Sequence, residues 1–376
     1  MRSPAIVPVI AAFILTAAAC GSSGSTSAEP RATRTITPVA GCGAAAWTDP
    51  ADLKPDRKPA RCEKGMPAAK PLPRKTKITV ASSTGSAEFV APVKLGIANG
   101  EFANENLEVE FKQLGVADSI PLLAKGELDA IWSAPEAAFF NGLNQRFELR
   151  WVLGNFSSDP ASKSGLWARV PQGTAPGAVK FTADTQVGTL IGKGSVIMYP
   201  MREVLRKHGA DLKKVRFTSL GGPSDVVTAL ENGGVGAAWV VDPAWKQLEG
   251  KSGLAFLGGQ PRGEPLGGMI YGPSMLRTDP DAGVAFVRAL VRIYNTYFNG
   301  DYKKNDALVK QLASALGLDP EILRAVPSSQ WDWEIRKGTS DRLQQAYVEG
   351  GALGRVVPES QAVDRTLYAE AVGHKP

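Results

Sequence analysis

Residues 107–111, Leu-Glu-Val-Glu-Phe, alternate apolar and polar positions as a half-buried strand does, and residues 77–83 form a β-rich run before them. Between the two, residues 89–98 carry an apolar period that predicts a helix. The helical period returns at 118–125, followed by short strand patterns at 130–132 and 147–153. Such alternation predicts a parallel sheet with helices on its faces. After an extended link at 165–170 the pattern restarts, with strands at 186–191, 214–218 and 237–241 and helices at 199–207 and 224–231. A second extended link at 267–272 leads into a helical tail, with helices at 282–298, 304–316, 321–326 and 340–348.

The two halves of this pattern share a corner. Leu-Ala-Lys-Gly-Glu-Leu-Asp-Ala-Ile-Trp at 123–132 is echoed by Leu-Glu-Asn-Gly-Gly-Val-Gly-Ala-Ala-Trp at 230–239, with Leu, Gly, Ala and Trp at the same offsets. Pro135 and Pro243 follow the two copies. Each copy reads as a helix end, a Gly turn and a short strand, so the chain builds two α/β lobes of similar plan. Residues 77–166 and 268–376 are assigned to the first lobe, and 167–267 to the second. Ligands of open α/β sheets collect at the carboxyl ends of strands, so Trp132 and Trp239 are expected to wall one cleft from opposite sides.

The first residues change the picture of where the chain works. Residues 1–19 hold one Arg, an apolar run too short to span a bilayer, and then small residues leading into Cys20, which suits a signal peptide. Cys20 stands where bacterial lipoproteins are cleaved and lipidated; the alternative is an ordinary secretory signal cut near it. Residues 20–76 are rich in Gly, Ser, Thr, Ala and Pro and read as a lipid-anchored tether. Residues 21–76 carry ten Lys and Arg against five Asp and Glu, whereas residues 77–376 balance at 32 of each. The net charge of +6 therefore reports the N-terminal segment near anionic lipid, and no nucleic-acid surface is expected. Cys42 and Cys62, in an oxidising compartment, read as one disulfide.

Gly-Ile-Ala-Asn-Gly-Glu-Phe-Ala-Asn-Glu-Asn-Leu-Glu-Val-Glu-Phe at 96–111, Gly-Glu-Leu-Asp-Ala at 126–130, Gly-Lys-Gly-Ser at 192–195, and Val-Gly-Ala-Ala-Trp at 235–239 with Asp242 and Pro243 keep one order and spacing. Together they resemble the nitrate/sulfonate/taurine-type solute-binding proteins of ABC importers, a group that also includes binders of thiamine-precursor pyrimidines. The resemblance covers roughly residues 77–354. It implies an α/β, type II periplasmic-binding-protein fold, with two lobes joined by two crossover segments that close on a small-molecule ligand by hinge motion. It further implies an ABC permease and ATPase as partners, on the outer face of the bacterial cytoplasmic membrane, with the chain acting as a monomer. Gly236 departs from the family, which usually has Asp there, a loss that bears on lobe stability.

The candidate ligand groups lie in the loops after the strands. Lys193, Gly194 and Ser195 form a turn whose amides and helix dipole would favour a sulfonate, nitrate or carboxylate, or else they form a plain capping turn; Pro200 places the helix start in question. Thr84, Ser86 and Glu88 are candidate polar contacts or a helix N-cap with an acidic first turn. Phe89, Trp132 with Ser133, Asn155, Phe156 and Trp239 are candidate pocket walls or core. Asp242 suits a ligand amine or a turn. No catalytic residue, cofactor or metal is assigned, because His208 and His374 are the only histidines and neither adjoins a candidate pocket. An enzyme or a ligand-sensing subunit on the same fold are the rival readings.

Overall fold

The computed structural model describes residues 35–83, 88–181, 185–190 and 192–374. Cys20, Thr84 and Ser86 lie outside the described residues. In chain order the first part runs β1 (Thr76–Ser82), α1 (Ala91–Ala98), β2 (Leu107–Gln113), α2 (Val116–Lys125), β3 (Ala130–Ser133), α3 (Ala137–Asn144), β4 (Arg150–Gly154) and β5 (Phe156–Ser157). The middle part runs β6 (Gly165–Arg169), β7 (Gln186–Thr189), α4 (Met198–Lys207), β8 (Arg216–Ser219), α5 (Pro223–Glu231), β9 (Ala237–Val240) and β10 (Leu254–Gly259). β11 (Gly268–Tyr271) then leads to α6 (Pro280–Tyr297), α7 (Asp306–Leu316), α8 (Pro320–Arg324), β12 (Gln330–Trp331), α9 (Thr339–Glu349), α10 (Glu359–Ala362) and α11 (Thr366–Val372). Among the described residues no helix is long and apolar enough to cross a membrane.

Two five-stranded sheets have the same plan. One is ordered β2-β1-β3-β11-β4; the other, read from its far edge, is β8-β7-β9-β6-β10. In each, the echoed strand (β3 or β9) pairs in parallel with the first strand of its half and antiparallel with a crossover strand, β11 or β6. The two extended links are thus ladder strands of the sheets they enter. Both begin on a glycine that geometry demands. Gly268 has φ +148° and a side chain there would meet the Leu153 carbonyl oxygen at 1.8 Å; Gly165 has φ +158° and would meet that of Gly258 at 2.3 Å.

Packing follows the strand alternation. Along β9, Ala238 and Val240 face the cluster of Val226, Leu230 and Trp245, whereas Ala237 and Trp239 face that of Met198, Met201 and Leu205. The first sheet and the helical tail share one larger core. α3 has no counterpart in the sequence expectation. Its Phe139 and Phe140 are both buried and only eight residues form it, so it lacks the apolar–polar period of a surface helix. β10, an antiparallel edge strand with two glycines, and α11 were likewise not expected.

Residues 35–75 differ from the expected tether. They wrap the first lobe, with Cys42, Ala46, Ala60 and Cys62 buried in its core and polar groups of that lobe holding their backbone. Arg292 Nη1 donates to Pro67 O at 3.1 Å, Asn295 Nδ2 to Met66 O at 2.7 Å, and Arg288 Nη2 to Lys70 O at 2.8 Å. The Thr48 amide donates to Glu334 Oε1 at 2.7 Å, and Arg57 pairs with Asp332. A disulfide joins Cys42 to Cys62. Composition underestimates such a segment because its partners lie more than 200 residues away.

Candidate functional site

A seam between the two sheets carries a buried Glu88 and a half-buried Asp242. Glu88, in the turn after β1, is 8% exposed; its Oε2 lies 2.7 Å from Lys303 Nζ and its Oε1 accepts from the Tyr302 hydroxyl. Lys303 also donates to Pro327 O at 3.0 Å and Val326 O at 3.3 Å. Asp242, after β9 of the other lobe, accepts from the Trp245 indole N–H and precedes a cis bond to Pro243. Burial pushes the Glu88 carboxyl up, against the pull of Lys303, and the charge of Asp242 pushes it further. Burial likewise raises Asp242, opposed by the bond from Trp245 and by the Lys303 charge. Glu88 and Asp242, from opposite lobes, therefore sit in one electrostatic environment around a single ammonium group. Tyr302 and Lys303 were missed from sequence because they lie 214 and 215 positions from Glu88 in an unpatterned link.

Phe89 and Phe156 adjoin this group, with ring centroids 6.2 Å apart, and Phe89 lies 6.2 Å from Trp132. Trp132 itself is core: it is fully buried, lies 6.4 Å from Trp331 in a stacked arrangement, and donates its indole N–H to Phe89 O at 2.7 Å. Trp239 packs among Leu166, Met198 and Met201 in a separate cluster. The two tryptophans occupy matching places, and each packs in its own lobe's interior. Ser133 and Asn155 are buried, and Asn155 Oδ1 accepts from the Gly267 amide at 3.2 Å, tying the two crossover regions together.

The turn at 192–195 presents the Gly194 carbonyl to the other lobe. Ser195 donates its amide to Gly192 O at 3.1 Å and accepts from Met198 at 3.0 Å, so α4 starts at Met198 with Pro200 in its first turn. Gly194 O accepts from the Ala137 amide at 3.0 Å, capping α3 of the first lobe from the second. Lys193 is exposed. Beside this contact stands Glu136, whose carboxylate makes no protein hydrogen bond among the described residues. Its side chain is only partly open to solvent, and desolvation pushes its pKa up to about 7. The one sequence signal for it is the Pro-Glu step directly after a strand end.

The sequence matches no protein-family model and no curated protein. Solved structures do match. The aliphatic sulphonate binding protein SsuA from Escherichia coli superposes with a TM-score of 0.57 at 14% identity, covering 77% of this chain and 92% of that one. The nitrate-binding protein NrtA from Synechocystis gives 0.55 at 13%, over 80% and 89%. The desulfurization enzyme DSZB gives 0.56 at 11%, over 79% and 98%. The chain has the periplasmic-binding-protein fold.

Further contacts of this periplasmic-binding-protein fold cross between the lobes on the α4 side. Tyr199 donates to Glu264 Oε2 at 3.3 Å, and Glu264 Oε1 accepts from Thr339 Oγ1 at 2.6 Å and from Arg342 Nε at 3.0 Å. One helical turn on, Arg202 Nη2 lies 3.0 Å from Glu349 Oε2, which Arg206 also contacts. His208 is buried at the C-terminal end of α4 against Val179 O, and His374 lies against Gly43 O, both away from the seam groups.

Proposed function

We propose that this chain is the extracytoplasmic substrate-binding component of an ABC importer, anchored through a lipidated Cys20 and acting as a monomer. It takes a small polar solute between its lobes and delivers it to a separate permease and ATPase, with no covalent chemistry of its own. The observation that carries this reading is the pair of like-ordered sheets joined by two crossover strands, with Glu88 of one lobe and Asp242 of the other both in the field of Lys303. The sulfonate- and nitrate-binding neighbours support a small anion as the solute.

A second reading of the ligand has its own support. Glu88 and Asp242 are desolvated carboxyl groups, and the ammonium beside Glu88, Lys303, is already paired. An anion there would meet like charge, whereas ring N–H and amino groups of a thiamine-precursor pyrimidine or similar flat heterocycle would donate to those oxygens. Mass spectrometry of ligand released from protein purified without dialysis tests both readings. A sulfonate or nitrate supports the first and a nitrogen heterocycle the second. A reproducibly ligand-free protein that binds neither class in calorimetry would refute both. Wild-type membrane retention of Cys20→Ser would refute the anchor.

A further inference from the structure

The loop closed by Cys42 and Cys62 forms one wall of a cavity of about 820 Å³, which no part of the transport reading uses. The facing wall is residues 298–301 and 327–330 of the tail, and Asp159 and Ala161, on the link into β6, close one end. The size is that of a small-molecule site. Trp47, Pro59 and Pro327 offer it partly exposed apolar surface.

The charge balance within it is uneven. Arg61 lines the cavity, yet its guanidinium meets only neutral acceptors: Ala60 O at 2.6 Å, Asn299 Oδ1 at 3.1 Å and Phe298 O at 3.4 Å. Its neighbour Arg57, by contrast, pairs with Asp332. Burial lowers the pKa of Arg61, and the charges of Asp332 and Tyr294 only partly oppose it. Lys58, exposed on the same wall, adds a second cation. Of the acids on the lining, Asp301 is engaged by Ser328 at 2.7 Å and Lys304 at 3.3 Å, and Asp159 accepts from the Ala161 amide of its own turn. A half-buried guanidinium whose bonds go only to neutral acceptors is well shaped to take a carboxylate.

We propose that this cavity is a second ligand site, taking a small organic monocarboxylate whose head seats on Arg61 and Lys58 and whose apolar body lies against Trp47, Pro59 and Pro327. The disulfide builds the site by holding residues 44–48 and 58–61 as one wall. Because Asp159 and Ala161 belong to the link between the lobes, an occupant touches the segment that hinge motion must bend. The site stands apart from the interlobe seam, so it does not depend on the transport reading.

The test uses the mature full-length chain with phenylacetate and hexanoate as probes and phenethylamine as the cationic counterpart, followed by calorimetry and the indole N–H resonance of Trp47. At least one acid is expected to bind saturably with a Kd below about 10 mM and to shift that resonance, while the amine does not. Lys58→Glu, on an exposed side chain, should weaken binding by about 10-fold, and Arg61→Gln should abolish it. Should Arg61→Gln fail to fold, Lys58→Glu and the Trp47 shift decide the matter. Absence of saturable binding by both acids, equal binding of the amine, or binding that leaves Trp47 and Lys58→Glu unaffected would each overturn the proposal.

Discussion

Trp132 and Trp239 stand on the same rung of two ladders: Trp132 pairs with Met269 of β11 and Trp239 with Leu166 of β6, one step after Gly268 and Gly165 respectively. The echoed corner is therefore the point where each lobe receives the strand arriving from the other. Both rings fill the interior beside that junction. Replacing either by Ala should cost about 3–5 kcal/mol in denaturant unfolding, with ligand affinity of the folded remainder unchanged. A loss of affinity at full stability would return the rings to the cleft.

The glycines of those junctions should be as intolerant as the tryptophans. Gly268→Ala places a methyl group 1.8 Å from a carbonyl oxygen of the neighbouring strand, at a φ that L side chains rarely adopt. Loss of about 3 kcal/mol or more, or failure to express folded protein, is expected, against a smaller loss of about 1 kcal/mol for Gly300→Ala, where φ is also positive (+60°) but the space is open.

The pair Glu88–Lys303 should behave as a buried ion pair. Glu88→Gln or Lys303→Met alone leaves a desolvated charge without its partner and should cost about 3–5 kcal/mol, whereas the double substitution should recover much of that. A double-mutant cycle on urea midpoints checks the coupling; additive losses would place the two groups outside mutual contact.

Glu136 predicts a pH dependence of stability. Its carboxyl ionises near pH 7 in the folded chain and near its ordinary 4.5 when unfolded, so the folded state holds the extra proton between those values. Its contribution therefore falls as pH rises from 4.5 to about 7 and is level above. Glu136→Gln should match the parent at pH 4 and exceed it by about 3 kcal/mol at pH 8, measured by melting across the range. Parallel pH profiles for the two proteins would contradict this.

Glu349 reads as a latch between α4 and α9. Its pKa is held low because bonds from Gln345 and Arg202 and the Arg206 charge outweigh the opposing effect of burial. The contact is thus present above the usual glutamate range and lost as pH falls below it. Glu349→Gln should open the lobes in the absence of ligand, seen as a larger radius of gyration in solution scattering at neutral pH. An unchanged radius would make the contact incidental to closure.

Much of the fold was legible because its signals are local. The alternation of β1, α1, β2, α2 and β3, and its restart at β7, follow from apolar periods a few residues long, and the repeated Leu, Gly, Ala and Trp mark two corners built to one plan. The same signals could not show that the extended links pair inside the sheets, since that pairing joins β11 to β3 and β6 to β9 across long separations. α3 escaped notice because a helix buried on several sides loses its polar face.

The candidate site divides in the same way. Glu88, Phe89, Phe156 and Asp242 became candidates because loops after strands are readable from the strands themselves, and the tertiary structure sets Phe89 against Phe156 and Glu88 in the field of Asp242. It alone decided that Tyr302 and Lys303 complete the group, that Glu136 is left desolvated, and that residues 35–75 fold back onto the first lobe. Local pattern records which face of an element is apolar. The desolvation of a carboxyl group and the choice of its counter-ion depend on what packs over it, and that is set by contacts between residues hundreds of positions apart.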